Sequence, residues 1–191
     1  EISEKINKNL DKMGQMVADL LNLERFEAGI ELNLEKFSPM DLLDQVIVQL
    51  QAQATQRKVQ LMKELSVYQD IQMEADRVEI QQALVSLLEN AIKYSPLNGI
   101  VHLRVDADEK NVTFVTQDHG QGIAPLDLPY VFERTKKSAR KDDKSSGYEL
   151  VIVKTIAERH HGKVWVESKL GKGSTFYLEI PVVQEINKRQ K

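Results

Sequence analysis

Residues 85–96 read VSLLENAIKYSP, and residues 117–125 read QDHGQGIAP. The first run has helical period, with Leu87, Leu88, Ala91 and Ile92 continuing a buried face that begins at Leu84 and earlier. Asn90 interrupts it, and Lys93 and Tyr94 follow three and four residues on, so they project from a similar side. An amide oxygen is a hard ligand suited to Mg²⁺, an ammonium suits phosphate, and an aromatic ring can stack on a base. Taken alone, a helix end with its Asn satisfied by backbone is the better explanation of the run. The second run follows a strand pattern and sets Asp118, Gly120 and Gly122 in a D-x-G-x-G arrangement. A carboxylate at a strand exit can accept from an exocyclic amine, and the glycines let backbone approach a flat ring closely. An ordinary turn has the same composition. Its position 28 residues after Asn90, and upstream of a Gly-containing helix start, makes that reading a poor one.

Outward from these runs the chain divides into one helix and a mixed domain. Ile6, Leu10, Met13, Val17 and Leu20 are spaced 4, 3, 4, 3, the seam of a coiled coil or bundle, and Gly29 caps a helix expected to stop near Ala28. Alternation at Ile30, Leu32 and Leu34 predicts a strand. Ser38, Pro39 and Asp41 open a helix running to about Gln56. Short strands are expected over 59–65 and 71–73, and Asp76 caps the helix that carries Asn90. Strands over 100–105 and 112–115 follow, then a long irregular stretch from Asp118 to Gly147. A helix over 147–161, a strand over 164–167, the Gly171/Gly173 turn and a strand over 175–180 complete the pattern, with a tail after Pro181. Helices on one face of a mixed sheet, an α+β two-layer α/β sandwich preceded by one long amphipathic helix, is the economical packing.

The 191 residues allow one ordinary domain with an appendage. The chain has no cysteine, which excludes disulfides, thiolate zinc and a cysteine nucleophile. A net charge of −3 gives no bulk attraction to nucleic acid or an anionic membrane, and no apolar run reaches the ~18 residues of a membrane span. The opening in mid-helix, at Glu1 rather than Met, reads as a piece of something longer.

LLENAIKYSP resembles the N box of sensor histidine kinases of two-component signalling, DHGQGI their first glycine box and VFER their F box. The stretch HHGKVWVESKLGKGSTFYLEIP is similar to the family's closing segment, and LLNLERFEAGIELNLEKFSPMDLL to the passage from the phosphotransfer hairpin into the catalytic domain. The resemblance spans residues 1 to 182. It implies the Bergerat-type ATP-binding sandwich of type II topoisomerases, Hsp90 and MutL over 29–182, the second hairpin helix over 1–28, and a tail over 183–191. It also implies ATP and Mg²⁺ as cofactors, with Asn90 as the Mg²⁺ ligand, Lys93 a phosphate contact and Tyr94 an adenine neighbour. Asp118 reads the adenine amine, Gly120 and Gly122 shape that wall, Lys137 stands where a phosphate-contacting Arg is usual, and Gly147 begins a helix whose amides face the phosphates. The implied partners are a response regulator receiver domain and, through the hairpin, a second copy; no nucleic acid or membrane contact is implied for these residues. The implied location is cytoplasmic, in a parent free to be membrane-anchored.

Several positions depart from the family pattern. The second glycine box, expected near G-T-G-L-G-L, reads Ser145, Ser146, Gly147, Tyr148, Glu149, Leu150, which puts a carboxylate where the triphosphate is expected. Thr135 and Lys136 replace two lid aromatics, and Ser86 stands at the first N-box position. The charged run from Lys136 to Lys144 reads as a solvated loop. The phosphoacceptor is expected upstream, because His102, His119, His160 and His161 all fall in the sandwich and none on the first helix. His160 and His161 read as structural. Two functions follow: a kinase catalytic domain, or a degenerate relative with weak or no ATP binding that serves as a scaffold or phosphotransfer and phosphatase platform. A water-activating ATPase is set aside, because Ser86 holds the place of its general base.

Overall fold

The alternation of apolar residues along 100–118 and 163–181 builds the sheet on which everything else rests. In the computed structural model, which describes residues 2–64, 71–133 and 148–183, β4 (Ile100–Ala107) and β5 (Asn111–Asp118) pair antiparallel, with Val105 opposite Phe114. Next to β5 lies β7 (Gly173–Pro181), and beyond it β6 (Lys163–Lys169), both antiparallel. On the other edge β2 (Gln60–Lys63) runs parallel to β4, giving the mixed order β2-β4-β5-β7-β6. One face of each of the three central strands is buried: Val101, Leu103 and Val105 of β4, Val112 and Phe114 of β5, and Phe176, Leu178 and Ile180 of β7.

Three helices cover that face. α2 (Pro39–Gln56) starts where predicted: Ser38 Oγ accepts from the Asp41 amide and Pro39 occupies the first turn. α3 (Arg77–Tyr94) is capped by Asp76, whose Oδ1 accepts from the Glu79 amide at 3.1 Å. α4 (Glu149–Arg159) is shorter than the expected 147–161: Tyr148 takes the N-cap position, and His161 leaves the helix at φ 55°. Ile80, Leu84, Leu87, Leu88 and Ile92 of α3 are fully buried between α2, α4 and the sheet.

The other strands are displaced from expectation. β1 (Leu34–Phe37) begins four residues later than Ile30 and pairs with β3 (Met73–Asp76) as a separate two-stranded sheet. The backbone before β1 is held by side chains instead of a ladder. Asn33 N donates to Asp76 Oδ2 at 2.9 Å, and the Ile30 carbonyl accepts from Arg159 at 2.8 Å.

α1 (Ile2–Glu27) lies along α4. Met16, Leu23 and Phe26 pack on the core, whereas Ile6, Leu10, Met13, Val17 and Leu20 are exposed, so the predicted seam faces away from the sandwich. No helix among the described residues is long and apolar enough to cross a membrane.

Candidate functional site

The last turns of α3 bring the first group of residues to the edge of the core. Because Leu87, Leu88, Ala91 and Ile92 point inward, Glu89, Asn90, Lys93 and Tyr94 emerge half-buried at the border. The Lys93 ammonium stands 4.8 Å from the centre of the Tyr94 ring. Arg57 donates to the Lys93 carbonyl at 2.6 Å, tying the end of α3 to the end of α2.

Asp118 ends β5 and is only 4% exposed. Its Oδ1 accepts from the Gly120 amide at 2.8 Å. Burial pushes its carboxyl above the usual range, opposed by the hydrogen bonds from the Gly120 and Ser174 backbone and by the neighbouring His119. An arriving N–H donor would return what burial removed from the ionised form.

The loop after Asp118 is wedged between α3 and the β6–β7 turn. A Cβ on Gly120 would stand 2.1 Å from the Tyr94 carbonyl oxygen. Gly122 has φ +69°, and a Cβ there would meet the Lys169 carbonyl at 2.2 Å. Across the seam Gly173, at φ +98°, would meet the Asp118 carbonyl at 2.1 Å. The sequence suggested glycines that admit a flat ring; what their missing side chains admit is the chain's own carbonyls. Two hydrogen bonds close the seam, Gly171 N to Gln121 O at 2.6 Å and Ile123 N to Ser168 Oγ at 2.8 Å. A cavity of about 320 Å³ opens beside it, lined by Asp118, Ser168, Lys169, Lys172 and Ser174 among others.

Tyr94, Asp118, Gly120 and Gly122 therefore converge, with Lys93 and Asn90 up to one helical turn from Tyr94. Lys137 and Gly147 lie outside the described residues, as does the charged run 136–144. Glu149, the first residue of α4, bears on Glu89: burial first, then Glu149 and then Asp19 of α1 push the Glu89 carboxyl up. Among the described residues no group of three or more His, Cys, Asp or Glu could hold a metal ion. His160 is fully buried, with Nε2 accepting from the Asp76 amide at 3.1 Å and Nδ1 2.8 Å from the Ile156 carbonyl, a structural arrangement. Sequence reasoning missed Ser168 and Ser174. The only signal available was their place in the SKLGKGS turn, residues 168–174.

A profile of the histidine kinase-, DNA gyrase B- and HSP90-like ATPases matches residues 75–184. The chain belongs to this family, and its relatives are sensor histidine kinases. The circadian input-output histidine kinase CikA of Synechococcus elongatus is 31% identical over 186 residues, covering 95% of this chain and 25% of CikA. Full-length ShkA, solved in complex with AMPPNP, is 28% identical with a TM-score of 0.75, over 87% of this chain and 35% of ShkA. Histidine kinase ThkA, solved in complex with the response regulator protein TrrA, shares the fold at 24% identity and a TM-score of 0.75, over 95% of this chain and 51% of ThkA. The chain spans about a quarter to a half of the length of the curated relatives it matches.

Proposed function

We propose that residues 29–182 are the ATP-binding catalytic domain of a sensor histidine kinase, that residues 1–28 are the second helix of its dimerisation and phosphotransfer hairpin, and that 183–191 form a tail. The observation that carries this reading is the buried Asp118 carboxylate at the exit of β5, held beside a loop that packs backbone on backbone. Its ionised form accepts the adenine amine, while Tyr94, Gly120 and Gly122 border the base. Lys93 and Lys137 meet the phosphates, and the backbone from Gly147 into α4 faces them. Asn90 would hold Mg²⁺ through its amide oxygen, a hard donor that suits this ion. The bound Mg²⁺ supplies charge neutralisation on the triphosphate. The chain's own contribution to transfer is position and electrostatic stabilisation of the phosphoryl group. The acceptor is a histidine outside these 191 residues, and the phosphoryl passes on to a receiver domain, with two copies joined through the hairpin on the cytoplasmic side.

Calorimetric titration with AMPPNP, with and without Mg²⁺, tests the site. Binding at about −8 to −5 kcal/mol is expected. Asn90→Ala should remove the Mg²⁺-dependent part, and Glu149→Gly should strengthen binding. Affinity should fall as pH drops and Asp118 takes up its proton, because only the carboxylate accepts from the amine. The absence of both heat and competition at millimolar nucleotide would overturn the reading and is the result the scaffold alternative expects.

A further inference from the structure

We propose that Ser168, near the end of β6, is a positioning residue for base recognition: its hydroxyl fixes the glycine loop on the β6–β7 turn and thereby sets the amide that orients Asp118. This rests on the reading of Asp118 as the base-recognition group. A serine hydroxyl has one donor and two acceptor sites. Here Oγ accepts from Ile123 N at 2.8 Å and lies 2.9 Å from both the Gly173 carbonyl and Ser174 Oγ. Those neighbours flank Asp118 from two sides. Ser174 is its partner in the β5–β7 register, and Ile123 ends the loop whose Gly120 amide bonds Asp118 Oδ1. Removing the hydroxyl leaves a part-buried Ile123 amide without its acceptor and frees the loop to shift relative to Asp118. Lys93 on α3 and the first residues of α4, on the phosphate side, are not part of this ring of bonds. The defect is therefore specific to the base.

The test is titration of AMPPNP, ADP and GMPPNP into the parent chain and into Ser168→Ala, Ser168→Thr and Asp118→Asn. Ser168→Ala should weaken AMPPNP and ADP by the same factor, about tenfold, and narrow the preference over GMPPNP. Ser168→Thr, which keeps the oxygen, should restore both. If Ser168→Ala does not fold, Ser168→Cys, a weaker acceptor of similar size, should show the same ordering at smaller amplitude. Unchanged AMPPNP affinity in Ser168→Ala, a loss that grows from ADP to AMPPNP, or an equal loss for GMPPNP would overturn the inference. When Asp118→Asn abolishes AMPPNP binding and Ser168→Ala does not, only the role of Ser168 fails. If the parent chain binds nothing, or Asp118→Asn changes nothing, the site reading fails and takes this inference with it.

Discussion

The loop at 118–123 and the junction of α1 with α4 both join distant parts of the chain, but by opposite means. The loop is closed by backbone against backbone, with three glycines each facing a carbonyl oxygen closer than any side chain could allow. The junction is closed by one long side chain. Arg159 donates to both oxygens of Glu79 at 2.9 and 3.0 Å and to the Ile30 carbonyl at 2.8 Å, and its guanidinium lies 5.2 Å from the Phe26 ring centre. Arg159 and Glu79 are 15% and 13% exposed, so their charges are largely withdrawn from water. At the other end of α4, Glu149, Glu89 and the buried Asp19 bring like charges together. The loop therefore depends chiefly on steric fit, and the junction adds a paired charge to its apolar contacts.

The comparison can be broken most severely at Gly122. Gly122→Val puts a β-branched side chain at positive φ and against the Lys169 carbonyl, which should cost about 4 kcal/mol and abolish AMPPNP binding. Chemical denaturation and titration would report both. Arg159→Ala should cost about 3 kcal/mol by leaving Glu79 unpaired, with AMPPNP affinity unchanged if the junction and loop are separate. A matching loss of affinity would show that they are coupled. Gly171→Ala, in the same turn as Gly173 but with open space around its Cβ, should cost only about 1 kcal/mol, from its φ of +78°. A cost equal to that of Gly122→Val would refute the steric account of the loop.

The smallest effect concerns His160, which links the end of α4 to the start of α3. Burial holds its imidazole below the ordinary histidine range, so the unfolded chain binds the proton more readily. Its contribution to stability is complete above about pH 6.5 and is lost as pH falls toward the folded value. Glu89 and Asp118, both raised, act in the opposite sense. Urea midpoints between about pH 7.5 and 5.5 should fall in the parent chain and stay flatter in His160→Gln.

What could be read from sequence was local. Ser38 and Asp76 announce their helices because a cap acts on an amide three residues away. Asp118, Gly120 and Gly122 form a motif legible within five residues, although the carbonyls of Tyr94 and Lys169 that require the glycines lie far along the chain. β1 was misplaced because Ile30 and Asn33 find their partners in Arg159 and Asp76, far along the chain. Glu79 and Arg159 carry no local signature, since their bonds span 80 and 129 positions, and Ser168 shows only its place in a turn, because the loop it holds lies 45 positions away.

One helix in this molecule carries two apolar lines. Met16, Leu23 and Phe26 face the sandwich, and Ile6 to Leu20 present a second apolar line turned roughly 100° around the same axis. The rotational phase between these two lines is written in residue spacing alone. A single residue inserted between Leu20 and Leu23 would turn Phe26 by about 100° against the outer line, and four would return it to within about 40°. Whatever packs on the outer line therefore meets the sandwich at an azimuth indexed by the sequence, as the teeth of a gear index a shaft.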